Sequence, residues 1–191
     1  MTAKIIPLRS PAQHTDEELL LGIADGAAPC LEELFSRYQD AVYSYLGHLT
    51  QQEQDLDDML QATFLEVQRA AKHFKGRSQV KTWLFSLASH IAHNHARSEV
   101  RRRSFLARLA FSPAPLSKRP DELAERHQTL SRAQQALRVM SPLLRQVFVL
   151  CDLEDFSGEE VSQILSLPIG TVWRRLHEAR KTLRAMLGEN P

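Results

Sequence analysis

Five basic side chains crowd residues 171–184 of this sequence, and a single acid, Glu178, stands among them. The basic residues are Arg174, Arg175, Arg180, Lys181 and Arg184, so the local charge is five minus one, or +4. The forked guanidinium group of arginine pairs with the edge of guanine in the DNA major groove, and each good pair contributes about 1–3 kcal/mol of discrimination between bases. The remaining basic side chains bind phosphates. The pattern favours a DNA-reading helix over the alternative of a solvated basic face.

The residues before this basic cluster predict a second helix and a tight turn. Ser157 and Glu160 form a capping box, in which the two side chains satisfy backbone N–H groups at the start of a helix. Pro168 ends that helix, because a proline disfavours helical geometry in the residue before it. After the turn, one buried face carries Val172, Leu176, Ala179, Leu183 and Met186. The opposite face presents Thr171, Arg174, Arg175 and Glu178, so we predict a helix-turn-helix.

The rest of the sequence lacks the spacing of a catalytic or metal site. His90 and His93 share a helix face, whereas His95 turns away from His90, and no cysteine or carboxylate stands at ligand spacing. The two cysteines, Cys30 and Cys151, predict buried, reduced packing residues. Neither a Ser/His/Asp arrangement nor a phosphate-binding glycine loop is present in the sequence. We therefore expect no cofactor, no metal and no enzymatic activity.

The composition is that of a globular protein. The chain has 191 residues, of which 43% are hydrophobic, and its formal net charge is +1. Its apolar runs stay shorter than the about 18 residues that span a bilayer, and its amino terminus lacks a secretory signal. Val, Ile and Thr do not alternate over the length of a strand. These features predict an all-α cytoplasmic protein without membrane insertion.

The order of helices and breaks predicts two small helical domains joined by a flexible linker, the second domain being the helix-turn-helix. The expected parts are a flexible tail (1–14), a first domain (15–103), a linker (104–127) and a second domain (128–187). The predicted helices before residue 157 run over about 17–25, 30–49, 56–74, 82–103, 127–139 and 143–153. The linker assignment follows from Pro113, Pro115 and Pro120 and from the weak apolar period around them.

Two charged surfaces are expected on the first domain. Asp57, Asp58 and Gln61 lie opposite the apolar stripe of their helix, and either helix-dipole stabilisation or partner binding explains them. A basic loop at 75–80 precedes the next helix, at whose end the arginines gather. These are Arg97, Arg101, Arg102 and Arg103. Four arginines exceed what helix capping needs, and they indicate contact with a polyanion.

Three motifs, in order and at matching spacing, resemble the extracytoplasmic-function class of bacterial RNA polymerase sigma factors over about residues 15–187. They are Asp58-Met-Leu-Gln-Ala-Thr-Phe-Leu65, then Phe74-Lys-Gly-Arg77 with Thr82-Trp-Leu-Phe85, and Leu167-Pro-Ile-Gly-Thr-Val172 with Arg175-Leu-His-Glu-Ala-Arg180. The resemblance implies a transcription initiation factor. Its region 2, at 15–103, would bind polymerase and melt the promoter, and its region 4, at 128–187, would read a distal element.

The resemblance also assigns roles to single residues. Binding to core RNA polymerase falls to Asp58, Gln61 and Phe64. The proximal promoter element is assigned to Phe74, Lys75, Arg77, His90, Asn94, Arg97 and Arg101. The distal element is assigned to Thr171, Trp173, Arg174, Arg175, Glu178 and Arg180. Core polymerase and promoter DNA are the implied partners, and the resemblance adds an anti-sigma factor that no residue here identifies.

Two residues depart from the pattern of the class, and one rival function stays open. Trp173 stands where Lys or Arg is more frequent, and its ring either flanks DNA or rests on the neighbouring helix. His90 stands where asparagine is frequent in the pocket for an unpaired base. The rival is a stand-alone helix-turn-helix regulator, in which 15–103 forms a dimerisation or sensor domain and the DNA sites are symmetric.

Overall fold

The computed structural model describes residues 14–50, 53–109 and 135–187, and its α-helices form two packed bodies. The first body contains α1 (Asp16–Ala24), α2 (Ala28–Leu49), α3 (Leu56–Ala70) and α4 (Val80–Leu109). The second body contains a helical segment at 135–139, α5 (Pro142–Phe148), α6 (Gly158–Leu165) and α7 (Ile169–Leu187). No strand occurs within the described ranges, in agreement with the predicted all-α class.

Both capping boxes predicted from the sequence are present. The Thr15 N–H donates to the Glu18 carboxylate at 2.9 Å, and the Glu18 N–H donates to the Thr15 hydroxyl at 3.2 Å. Ser157 and Glu160 exchange the same two bonds at 2.9 and 3.2 Å. Ser141 also precedes a helix whose first residue is a proline, but its side chain makes no capping hydrogen bond. Two helix starts are therefore determined by residues three positions apart.

Several helix ends differ from the sequence-based expectation. Helix α4 continues past Arg103 to Leu109, six residues into the segment expected to be linker, because the chain there keeps good helix formers. The helix expected to reach Phe74 ends at Ala70 and continues as one 3₁₀ turn, Ala71–His73. Helix α5 likewise changes into a π-helical turn, Val149–Leu153. The amino-terminal tail to residue 13 and residues 110–134 lie outside the described part of the chain.

The first body packs around side chains with no exposed surface. These include Leu34, Val42, Tyr45, Leu46, Val67, Leu84, Phe85 and Ala88. Helix α1 is attached to this core by polar contacts, since Arg37 of α2 pairs with Asp16 at 2.8 Å and the Tyr38 hydroxyl also donates to Asp16. Burial and the bond to Asp16 raise the pKa of Tyr38, so its hydroxyl keeps its proton. The stripes predicted for α2, α3 and α4 are thus the core of one bundle.

The second body docks on the first through α4. Phe156, which lies just before α6, packs edge-on against Phe85 with ring centroids 4.8 Å apart. The Lys81 ammonium lies 4.5 Å from the centre of the Phe156 ring, and the Thr82 hydroxyl donates to Glu160 at 3.3 Å. Because Phe85 is fully buried and Phe156 is 5% exposed, the apolar cores of the two bodies are continuous.

A buried arginine joins the bodies at a second place. Arg145 of α5 donates to the Leu49 carbonyl at the end of α2 at 2.9 Å, and to the carbonyls of Arg138 and Met140 at 3.0 and 3.3 Å. Burial, with the nearby charge of Arg138, lowers the pKa of Arg145. Three carbonyl acceptors offset part of the cost of burying the guanidinium.

Replacing Phe156 by alanine tests the docking contact. We expect Phe156→Ala to lower the free energy of unfolding by about 3 kcal/mol, since it removes a buried ring and its contacts with Phe85 and Lys81. Urea unfolding followed by circular dichroism measures the change. Leu153→Ala is the matched control, because Leu153 is 44% exposed in the same stretch and its loss should change the free energy by less than about 1 kcal/mol. Equal losses for the two variants would contradict the assignment of Phe156 to the core.

Candidate functional site

The turn between α6 and α7 has a defined geometry. Ser166 adopts a left-handed conformation with φ 51° and ψ 45°. Its neighbours complete the turn, since the Ser162 hydroxyl donates to the Leu167 carbonyl at 2.5 Å and the Leu167 N–H donates to the Ser162 carbonyl at 3.0 Å. The Pro168 carbonyl then accepts from the Thr171 N–H at 2.8 Å as α7 begins. This is the helix-turn-helix that the sequence predicts.

The capping carboxylate of α6 is held by more than the capping box. The Glu160 carboxylate accepts from the Ser157 hydroxyl at 2.8 Å as well as from the Ser157 N–H and from Thr82. Burial acts to raise the pKa of Glu160, but these hydrogen bonds outweigh it and lower the pKa. The start of α6 is therefore fixed both to its own first turn and to α4.

Helix α7 presents a polar outer face opposite its buried stripe. Val172, Leu176 and Ala179 are buried, as predicted, whereas Leu183 is half-buried and Met186, expected on the same face, is 38% exposed near the end of the helix. The exposed side chains of this face include Trp173, Arg174, His177, Glu178 and Lys181. Thr171 and Arg175 are half-buried at the edges of this face, and Arg175 Nη1 is buried without a hydrogen-bond partner in the described part of the chain. Of the two adjacent arginines, Arg174 is the more accessible.

Arg180 differs from the other predicted distal-element residues because it is already paired. Its Nε and Nη2 donate to the two carboxylate oxygens of Asp152 at 2.9 and 2.6 Å. The hydrogen bond to Asp152 raises the pKa of Arg180. The pair attaches α7 to the π-helical turn after α5 and brings Asp152 beside Cys151, a half-buried free thiol whose pKa burial raises to about 11. Arg180 thus has a structural contact that charge pattern does not reveal.

A second polar surface runs along α4. His90, Asn94, Arg97 and Arg101 recur at steps of four, three and four, and all four are exposed. The loop before α4 carries Lys75 and Arg77, both exposed, on either side of Gly76, whose φ of 65° glycine accepts without strain. Phe74 is half-buried at the start of this loop, and its ring packs against Trp83 with centroids 5.3 Å apart. The predicted proximal-element residues therefore share one loop and one face of the next helix.

A third surface combines acid with an apolar groove. Asp58 and Gln61 are exposed on α3, beside a groove of about 470 Å³ between α2 and α3. The groove is lined by Leu31, Glu32, Phe35, Asp57, Leu60, Gln61, Phe64 and Leu65. Phe64 is only 5% exposed and packs edge-on against Phe35 at 4.8 Å, so it forms the floor of the groove rather than a projecting contact.

Leu65 is the residue of this surface that sequence reasoning missed. Its side chain is 46% exposed at the edge of the groove, four residues after Gln61 on the same helix face. The signal for it was present, because Leu65 falls one position off the buried stripe of α3 and an exposed leucine there has no packing role. The acidic face and the groove thus form one amphipathic surface, which we call the α2–α3 surface.

The histidines of α4 do not converge on a site. His95 Nε2 lies 3.1 Å from an oxygen of Asp55, while His90 and His93 are exposed. In the described ranges no group of three or more His, Cys, Asp or Glu side chains is placed to hold a metal ion. Within the same ranges, no helix has the length and apolar character of a membrane span.

Family models match both bodies. The model described as Sigma-70 region 2 matches residues 34–102, which cover most of α2 to α4. The model described as Sigma-70, region 4 matches residues 130–183, which include α5, α6 and most of α7. Together these matches span more than half of the chain, in the order in which the two bodies occur.

Relatives along nearly the full length carry consistent names. The chain is 29% identical to RNA polymerase sigma factor CarQ of Myxococcus xanthus, over 86% of this chain and 93% of CarQ. It is 27% identical to the ECF RNA polymerase sigma-E factor of Haemophilus influenzae, over 90% of this chain and 94% of that protein. With ECF RNA polymerase sigma factor SigX of Bacillus subtilis the identity is 27%, over 79% of this chain and 80% of SigX.

Two solved structures share the fold. CnrH, solved in complex with the cytosolic domain of CnrY, aligns with a TM-score of 0.69 at 23% identity, over 92% of this chain and 99% of that one. The sigma factor RpoE of Bartonella quintana, solved with the anti-sigma factor NepR, aligns with a TM-score of 0.64 at 22% identity, over 84% and 98%. At these identities the comparison establishes the arrangement of helices.

The strained residue of the helix-turn-helix yields a stability prediction. We expect Ser166→Gly to raise the free energy of unfolding by about 0.5–1 kcal/mol, because glycine adopts a positive φ without a steric penalty and this gain exceeds its larger entropy in the unfolded chain. Urea unfolding measures the change in the free energy of unfolding. Ser166→Ala is the control, since it removes the hydroxyl but keeps the Cβ, and it should bring no gain. A destabilised Ser166→Gly variant would show that this conformation is not strained.

Proposed function

The chain belongs to the sigma-70 family of RNA polymerase sigma factors, and from this premise we propose how its three polar surfaces divide the work of transcription initiation. As a sigma factor it binds core RNA polymerase and directs promoter recognition, DNA melting and the start of transcription. The observation that carries this function is the presence of regions 2 and 4 in one chain, each with an exposed polar face opposite its buried stripe.

The α2–α3 surface is our proposed contact with core polymerase. Asp58 and Gln61 are exposed beside an apolar groove, and Leu65 projects at its edge. Exposed apolar surface next to charged groups is typical of a protein-binding site, in which apolar anchors supply affinity and charges supply orientation. Helix capping explains acids in the first turn of α3, but it does not explain an exposed leucine two turns later.

The loop at 75–79 and the outer face of α4 are our proposed contact with the proximal element. An unpaired base leaves the duplex at a cost of a few kcal/mol, which stacking and edge hydrogen bonds offset. Phe74 is a half-buried aromatic ring at the loop, and His90 and Asn94 offer hydrogen-bonding groups along the helix. Arg97 and Arg101 continue the same face with positive charge for the DNA backbone.

The outer face of α7 is our proposed contact with the distal element. Recognition helices of this motif place residues of their first turns against base edges in the major groove. Thr171, Trp173 and Arg174 occupy those turns, Arg175 follows at the edge of the outer face, and Glu178 lies on that face one turn after Arg174. Arg180 sits further along and is paired with Asp152, so we propose that it orients α7 rather than reading bases.

The rival function, a stand-alone helix-turn-helix regulator, is disfavoured. It required 15–103 to act as a dimerisation or sensor domain, whereas residues 34–102 match sigma region 2. The family is not one of catalytic enzymes, and we propose that this chain lends promoter choice to the polymerase and has no catalytic activity of its own. We also propose that it acts in the cytoplasm, where the polymerase is, and that an anti-sigma factor regulates it.

The polymerase contact can be tested by a double substitution. We expect Asp58→Ala with Gln61→Ala to weaken binding to core polymerase at least about tenfold, the effect of losing one or two interface anchors. Surface plasmon resonance with immobilised core enzyme measures affinity. Gln68→Ala with Arg69→Ala, two exposed residues further along α3, is the matched control and should bind as the wild type does. Unchanged affinity of the first variant would remove the α2–α3 surface from the interface.

The distal-element contact predicts a different phenotype. Arg174→Ala with Arg175→Ala should reduce initiation at an intact promoter about tenfold to hundredfold, because each good arginine–base pair contributes about 1–3 kcal/mol. Affinity for core polymerase should not change. Run-off transcription from promoters with intact and scrambled distal elements measures the effect. Arg184→Ala removes one charge near the end of α7 and should lower initiation on both templates by the same factor. Equal wild-type activity on the two templates would contradict distal recognition by α7.

A further inference from the structure

The indole of Trp173 is seated directly on Gly158, the first residue of α6. A Cβ added at Gly158 would lie 2.3 Å from Trp173 Cζ2, 2.6 Å from Cη2 and 2.9 Å from Cε2. Contacts this short do not occur between real atoms, and the obstacle is a rigid ring. Glycine is therefore the residue that leaves room for the indole at this place. Of the two predicted placements of Trp173, the one on the neighbouring helix is confirmed, and the ring is still 49% exposed.

The part of the ring that is not covered faces the outer side of α7. Trp173 is 49% exposed, a large fraction for an indole fixed along one edge. On α7 it lies three residues after Gly170 and four before His177, and both of these are exposed. Arg174 adjoins it on the same outer side. A rigid aromatic surface is thus held in the first turns of the helix that meets base edges.

The indole of Trp173 is almost wholly apolar carbon. Its one polar group is the Nε1–H, whereas the atoms closest to Gly158 are the carbons Cζ2, Cη2 and Cε2. The uncovered carbons have neither a donor nor an acceptor to offer a base. Among the groups that bases display in the major groove, the C5-methyl of thymine is the one that apolar carbon recognises.

We propose that Trp173 is a specificity-determining residue that contacts the C5-methyl group of a thymine in the distal promoter element, and that Gly158 is the residue that positions its ring. The inference rests on the proposed function of α7. It goes beyond that function by naming the base and the chemical group that are read. An arginine or lysine at the same position would instead favour the acceptor edge of guanine.

The test removes single methyl groups from DNA. The holoenzyme, made from core polymerase and the full chain, initiates on promoter duplexes in which each thymine of the distal element is replaced in turn by deoxyuridine. For the wild type we expect one position at which the replacement lowers run-off transcription roughly fourfold, the effect of one buried methyl group. The Trp173→Ala variant should initiate less well on the intact promoter and should not respond to deoxyuridine at that position.

A double-mutant cycle tests the role of Gly158. Gly158→Ala should reduce the response to deoxyuridine in the wild-type background and should have no further effect on it in Trp173→Ala, because the added Cβ acts only by displacing the indole. Gly47→Ala is the matched control, since a Cβ there would meet only Leu56 Cδ1 at 3.8 Å. It should keep the full response.

The outcomes separate this inference from the function on which it rests. Specific initiation by the wild type on the intact promoter establishes the function in the same assay. If no thymine position responds, or if Trp173→Ala responds as strongly as the wild type, the methyl contact is overturned while the function stands. An equal loss of initiation by Trp173→Ala on every template would show that the ring packs against the sugar-phosphate backbone instead. Failure of the wild type to initiate at any promoter would overturn the function itself.

Discussion

The arrangement of both bodies depends on the packing of the buried Phe85 ring. Its ring has no exposed surface, and it packs against Tyr45 of α2 at 5.2 Å and against Phe156 of the second body at 4.8 Å. Burying a phenylalanine contributes about 1.5–3 kcal/mol, and aromatic pairs add to this. Because Phe85 lies in the second turn of α4, it fixes the rotation of that helix. His90 and Asn94, five and nine residues later, are consequently turned outward and exposed.

The features that sequence predicted well are those that local chemistry determines. The two capping boxes join residues three positions apart, and the stripe of α3 repeats every three or four residues, so neither needs information from elsewhere in the chain. The helix-turn-helix was predictable for the same reason, since Pro168 and the cap at Ser157 bound its first helix. The exposed positions of Asp58, Gln61 and Arg174 then followed from helical period alone.

What the sequence could not show depends on contacts between distant residues. Arg180 belongs to the same basic run as Arg174, yet it meets Asp152, 28 positions away, and is thereby occupied within the protein. The docking of Thr82 on Glu160 and of Phe85 on Phe156 likewise joins residues more than 70 positions apart. Period and charge cannot reveal such pairs. Leu65 was missed for a different reason: its position off the buried stripe of α3 can be read from the sequence, but the groove beside it can be seen only in the structure.

An indole at position 173 changes the physical character of the surface that α7 offers to DNA. A basic residue there would strengthen binding mainly through released counterions, and this contribution falls as salt rises. The contribution of apolar carbon comes from water leaving its surface and does not depend on counterions. Arg174 and Lys181 keep positive charge on the same face for the phosphates. In the recognition that we propose, the basic side chains of α7 supply attraction to DNA, and the indole adds a part of the discrimination that salt does not weaken.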